Sequence, residues 1–215
     1  MNARGAITLV FDDGYEAVYQ EVLLLLRHYG VRAVFAVPLH APSNMLMDQP
    51  ITSYDTWLAA AARDGHEIAA HGVSHTDLTT LSDAELFKEL SEPSEVLRTG
   101  TLIYPGGAHN ETVVDAARKY YVAARTVLHG FNAMKPEDPM RLRTINFSTR
   151  NFSIPRANIH ALRALLQNTW LIETYHYVSN QPSSLTHSTR LHDLDAHLSF
   201  ITSLPIRIAT IEEML

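Results

Sequence analysis

Ala6-Ile7-Thr8-Leu9-Val10-Phe11-Asp12-Asp13-Gly14 is the stretch on which the fold turns. A short apolar run rich in β-branched residues stops abruptly at two carboxylates and a glycine, the pattern of a buried strand running into a turn. Over residues 16–29, Val18, Val22, Leu25, Leu26 and Tyr29 recur at helical spacing and Gly30 supplies a C-terminal stop, so a helix follows. Residues 31–37 read as a second strand, closed by Pro38.

The alternation continues outward from there. A helix is expected over 54–63 and a strand over 66–70, after the turn Asp64-Gly65. Ser82 and Glu85 form a capping-box pattern that opens a helix toward Arg98, which Pro93 must kink or split. A brief strand over 102–104, a helix over 111–119 and a strand over 121–127 come next, then a polar, proline-bearing stretch over 135–143. A helix over 157–167, a strand over 170–176, a helix over 193–203 and a strand over 206–209 complete about seven strands alternating with helices. That is the signature of a parallel α/β architecture.

Composition narrows the classes. The 215 residues, 46% hydrophobic and 19% charged, suffice for one domain with a full core, so residues 1–215 are expected to form a single domain. No apolar run approaches the roughly 20 residues of a membrane-spanning helix. A net charge of −6 with scattered Lys and Arg argues against nucleic acid as a partner. The absence of cysteine excludes thiolate ligands, leaving His and carboxylates for any metal. Met1-Asn2-Ala3-Arg4 lacks the pattern of a signal segment, so the expectation is a cytoplasmic protein, or a secreted or periplasmic one whose signal has been removed.

Asp12-Asp13, His71, Pro105-Gly106-Gly107 and His176 all fall at or just past the end of an expected strand, the face where α/β barrels do their chemistry. Read alone, Asp12-Asp13-Gly14 is a plain turn, and His71 and His75 are a chance pair that one helical turn would bring to the same side. Together they offer two imidazoles and a carboxylate, enough for an open site for a divalent ion. A second carboxylate beside them could then accept a proton from an attacking water.

Val10-Phe11-Asp12-Asp13-Gly14-Tyr15, the stretch 65–75 ending in His71-Gly72-Val73-Ser74-His75, Tyr104-Pro105-Gly106-Gly107, and Leu171-Ile172-Glu173-Thr174-Tyr175-His176 resemble the successive signatures of the polysaccharide deacetylases, the NodB-homology domain of carbohydrate esterase family four. The resemblance covers nearly the whole chain. It implies a distorted, TIM-barrel-like (β/α)7 barrel in which Asp13, His71 and His75 hold the metal, Asp12 is the general base and His176 the general acid. The implied ion is Zn²⁺ in the first instance, with Co²⁺, Ni²⁺ or Mn²⁺ acceptable to the same donors. The implied substrate is an N-acetylated saccharide, and Tyr104, Pro105, Gly106 and Arg125 are expected to bind it.

The third motif departs from the family pattern, which often has an Arg ahead of the Pro and an aromatic after it. Arg125 or Arg143 is expected to take over the missing guanidinium, and the Gly106 N–H to serve as an oxyanion donor. Two other readings stand beside the deacetylase: a hydrolase of a non-carbohydrate amide or cyclic ureide, and a catalytically weakened carbohydrate-binding protein of the same fold. His66 reads as a structural, hydrogen-bonded histidine, His192-Asp193-x-Asp195-x-His197 as a solvated first helical turn, and Asn110 as a helix cap.

Overall fold

The computed structural model describes residues 4–40, 44–181 and 183–215; residues 1–3, part of the segment inspected for a leader, lie outside them. Seven parallel strands, β1 (Ala6–Phe11), β2 (Val34–Val37), β3 (Glu67–Ala70), β4 (Thr101–Ile103), β5 (Ala123–His129), β6 (Leu142–Asn146) and β7 (Trp170–Tyr175), pair in chain order and close into a barrel when β7 returns to β1. The closing ladder runs in register from Ala6↔Trp170 to Phe11↔Tyr175. A distorted (β/α)7 barrel is the result, as the motifs imply.

Two strands differ from the sequence expectation. The sixth barrel strand begins inside the stretch taken as polar connection, and the β5–β6 link carries only a short 3-10 turn, Pro139–Arg141, in place of a helix. The C-terminal strand is not in the ring: β8 (Arg207–Ile208) pairs with Ala6 and Ile7, while β2 pairs with Val10 and Phe11 farther along β1. A strand has two edges, and β7 takes one of them whole, so β8 and β2 share the other.

Alternation along the strands sorts the core into two layers. Ala6, Val10, Val34, Ala36, Ala69, Ile103, Ala123, Leu142, Trp170 and Ile172 fill the barrel, and Ala209, Ile211 and Met214 of the C-terminal segment plug its floor. Ile7, Leu9, Phe11, Phe35, Val37 and Leu102 point the other way, into a larger cluster with the helices α1 (Leu23–Tyr29), α2 (Tyr54–Asp64), α3 (Asp83–Leu97), α4 (Glu111–Ala117), α5 (Ile154–Gln167) and α6 (Leu191–Thr202).

Local chemistry explains the helix ends. Gly30 adopts φ 63° and its N–H closes α1 on Arg27 and Leu26 carbonyls, although the helix opens as a wider π turn over Val18–Val22. Ser82 and Glu85 form the expected reciprocal cap of α3. That helix stays continuous through Pro93, which is buried; the missing N–H removes one ladder bond, to the Glu89 carbonyl, without ending the helix.

Candidate active site

The barrel register assembles the site. Phe11 pairs with Tyr175, and the Asp12 N–H donates to the Tyr175 carbonyl at 2.9 Å, so Asp12 emerges beside His176. The next residue turns away: Asp13 has φ 75° and Gly14 φ 69°, left-handed conformations that send the two carboxylates in different directions. Asp13 thereby faces the end of β3, where His71 follows Ala70.

His71 and His75 meet Asp13 from a loop and not from the helical turn the spacing allowed. Gly72 (φ 74°) and His75 (φ 61°) are both left-handed, and the loop folds back so that the imidazoles lie 4.7 Å apart, centroid to centroid. Nε2 of His71 is 3.4 Å and Nε2 of His75 3.2 Å from Oδ1 of Asp13. The loop is held by Glu89 of α3, whose buried carboxylate accepts from the N–H groups of Val73 (2.6 Å) and Ser74 (3.2 Å) and from the Ser74 hydroxyl (2.6 Å). Sequence reasoning missed Glu89. The signal was present: it sits at the core-facing spacing of α3, beside Leu86, Leu90 and Pro93, where a charge needs a partner.

The donors fit a divalent cation. Nδ1 of His71 lies 2.8 Å from the Ile103 carbonyl, which can only accept, so Nδ1 donates there and Nε2 is the nitrogen left to face a cation. A carbonyl partner on the far nitrogen is the usual outer support of a histidine ligand. One nitrogen from each imidazole and one Asp13 oxygen lie within 4.8 Å of one another. Burial would raise the Asp13 pKa, but interactions with His71 and His75 outweigh it and hold the carboxyl well below the usual range. Burial pushes the His75 pKa down, and the bond to Asp13 reverses it to a net rise.

Arg125 supplies the guanidinium missing from the third motif. It projects into the barrel from β5, is 1% exposed, and donates from Nη2 to Oδ2 of Asp12. Oδ1 of Asp12 is buried with no hydrogen-bond partner among the described residues. Nε2 of His176 stands 3.6 Å from Oδ2 of Asp12, and burial lowers its pKa against the opposing pull of Asp12 and Asp13. Arg143, the alternative, is exposed and donates to the His129 carbonyl on the outside of the barrel.

A cavity of about 320 Å³ opens over these groups, lined by Asp12, Asp13, His71, His75 and His176 together with Tyr15, Gly106, Val127, Asn146 and His187. Of the four residues expected to bind substrate, Gly106 alone lines it. Tyr104 is fully buried with its hydroxyl donating to the Met140 carbonyl at 3.2 Å, Pro105 is buried, and Arg125 lies under Asp12. Gly106 (φ 59°) presents bare backbone, and a Cβ there would meet nothing within 4 Å. At Gly107 a Cβ would strike Val127 at 2.4 Å, so that glycine is required by close approach. Burial and the Asp13 carboxylate push the Tyr15 phenol well up, leaving it a neutral hydroxyl in the wall.

The residues set aside from the site fall elsewhere, with one correction. His66 accepts from the Ala33 N–H at 3.2 Å, and Asn110 caps α4 through the Val113 N–H. His197 is not solvated: it is fully buried between Glu173 (3.0 Å) and Asn158 (2.7 Å), because its face of α6 packs on the outside of β7.

Comparison with known proteins bears on the family and the fold. The chain is 34% identical over 128 residues, 56% of its length, to a gellan lyase of Bacillus sp, of which that match spans 5%. It is 31% identical over 98 residues, 46% of its length, to a probable peptidoglycan-N-acetylglucosamine deacetylase of Arthroderma benhamiae, of which that spans 21%. The chain thus corresponds to a minor part of these curated relatives. The structure of the chitin deacetylase of Colletotrichum lindemuthianum superposes with a TM-score of 0.65 at 19% identity, covering 100% of this chain and 88% of that one, which shows a shared fold. The profile of the polysaccharide deacetylase family matches residues 2–124, a span holding Asp12, Asp13, His71, His75 and the Pro-Gly-Gly turn, and the chain belongs to that family.

Proposed function

We propose that this chain hydrolyses N-acetyl groups from an acetylamino-sugar oligomer or polymer, using a divalent ion, Zn²⁺ in the first instance, held by Asp13, His71 and His75. The observation that carries this reading is the convergence of those three donors beside an Asp12 whose two oxygens differ: Oδ2 is fixed by Arg125, and Oδ1 has no partner among the described residues. When bound, the ion would polarise the acyl carbonyl and acidify the attacking water. Asp12 takes the water's proton on Oδ1 while Arg125 keeps the carboxylate from rotating away. The Gly106 N–H donates to the developing oxyanion. His176 hands a proton to the departing amine, which would otherwise leave as a strongly basic anion. Tyr15 and Val127 give the cavity an apolar wall suited to an acetyl methyl.

The relatives described as deacetylases of peptidoglycan N-acetylglucosamine and of chitin support an amino-sugar substrate. The reading as a weakened, merely binding protein rested on the altered third motif; the Arg125–Asp12 pair, which supplies a guanidinium where that motif lacks one, supports the enzymatic reading over it. Acetate release from N-acetylglucosamine oligomers, assayed beside ring opening of cyclic amides, tests the reading. Hydrolysis of the sugars is expected; turnover of the cyclic amides alone would overturn it.

A further inference from the structure

Helix α5 turns its small residues inward and its large apolar ones outward. Ala157, Ala161 and Ala164 are buried, whereas Ile159 and Leu166 are 61% and 75% exposed and Leu162 is exposed between them. The alanines let the helix lie close on the barrel, where a Cβ at Gly5 would strike the Ala164 carbonyl at 2.5 Å. Single exposed leucines need no explanation, but Ile159, Leu162 and Leu166, spaced three and four apart, form one continuous ridge. Arg156 and Arg163 each lie within one turn of Ile159. Their hydrogen bonds go to neutral groups, the Asn151 carbonyl and the Gln167 amide oxygen, and no Asp or Glu occurs in Ile154–Gln167.

A groove of opposite character lies elsewhere on the same chain. Between α3 and α4 a depression of about 470 Å³ is lined by apolar Leu86, Phe87 and Tyr120, with the carboxylates of Asp83 and Asp115 against the single ammonium of Lys119. The Phe87 ring is 60% exposed and meets Tyr120 edge-on, centroids 6.1 Å apart. An apolar ridge set with guanidinium groups and an apolar groove edged with carboxylates match in shape and in sign. One molecule does not join its own two surfaces: α4 leads into β5 and α5 follows β6, so those strands stand between them around the barrel. We propose that the α5 ridge of one copy seats in the α3–α4 groove of another, a head-to-tail self-association of this chain. Charge selects this occupant over a second α5 ridge, which would set arginine against arginine, and a lipid surface would leave the groove uncovered.

Sedimentation equilibrium of the purified chain tests this with two charge-reversed variants, Arg156→Glu with Arg163→Glu on the ridge and Asp83→Lys with Asp115→Lys on the groove. All four side chains are exposed, so the core is untouched. The wild-type weight-average mass should rise above that of the monomer with protein concentration and fall with added salt. Each variant alone should associate roughly tenfold or more weakly, because like charges then face each other. Mixing the two in equal amounts should restore association, since every ridge then finds a groove of opposite sign. Should a reversed variant not fold, Leu166→Gln removes apolar surface without changing charge and should also weaken association. A wild type that stays monomeric at every concentration would overturn the proposal. So would dissociation by the ridge variant alone with the groove variant unaffected, the result for ridge-to-ridge pairing, or a mixture that stays monomeric. Flotation of a monomeric wild type with phosphatidylglycerol vesicles, lost in the ridge variant, would overturn it in favour of an anionic lipid surface.

Discussion

Arg125 and Asp12, 113 positions apart in sequence, meet inside the barrel as a buried ion pair, Nη2 to Oδ2. Their strands are not neighbours in the sheet, so the contact crosses the interior. Each charge is 4% exposed or less at its side chain, and neither could be left alone there without a large desolvation penalty. Replacing Arg125 with Met should therefore lower stability by about 3–5 kcal/mol, the range for breaking one side of a buried pair. Arg125→Lys retains charge but not the planar donor fork. It should keep more of the stability yet lose activity, through kcat rather than KM, since Asp12 would no longer be oriented. Denaturant melts and steady-state kinetics on both variants check this; an unchanged kcat in Arg125→Lys would contradict the positioning role.

Glu89 is predicted to act on the metal without touching it. Glu89→Ala frees the Val73 and Ser74 N–H groups and loosens the loop between the two histidines. Losses of supporting groups around metal ligands run to roughly 10–100-fold in affinity. Competitive zinc titration should show a weakening of that order, with Glu89→Gln recovering part of it through the remaining carbonyl acceptor. Wild-type affinity in Glu89→Ala would show that the loop is held by other means.

The sequence carried the strand ends and the first-motif carboxylates because an apolar run that stops at Asp12-Asp13-Gly14 has few alternative readings. β6 was hidden: Leu142-Arg143-Thr144-Ile145-Asn146 follows two prolines, carries a charge, and joins β5 without the intervening helix that alternation leads one to expect. The inward course of Arg125 was legible only as one of two alternatives, with Arg143 the other. A charge within a strand reads as solvent-facing until its partner is known, and Asp12 lies on a distant strand. His197 shows the same limit, since only the packing of α6 on β7 reveals that an acidic, histidine-bearing helix start is partly buried.

His66 predicts an acid limb in stability. Burial lowers its pKa from the ordinary 6.5 to about 4, so the unfolded chain binds the proton more readily than the folded one. The stabilisation is complete above pH 6.5 and declines as pH falls toward 4. His66→Asn, which keeps an acceptor for the Ala33 N–H, should flatten the fall in Tm between pH 6.5 and 5. An identical pH profile for variant and wild type would show that His66 does not titrate in this way.

The role of His176 as leaving-group acid is tested by changing the leaving group. His176→Ala should lose about 10²-fold or more in kcat on an N-acetylated sugar, the usual scale for acid–base catalysis. On an aryl acetate, whose phenolate departs without a proton, the loss should be much smaller. Equal losses on the two substrates would make His176 a positioning or binding residue.

The central claim divides the adjacent carboxylates between two tasks, Asp13 holding the ion and Asp12 moving the proton. Elemental analysis after dialysis, paired with acetate release, separates those tasks in one experiment on Asp12→Asn, His71→Ala and, as a control, His192→Ala. Asp12→Asn should retain metal and lose activity, His71→Ala should lose both, and His192→Ala neither. Full metal occupancy in His71→Ala, or unimpaired acetate release by Asp12→Asn, would contradict the account.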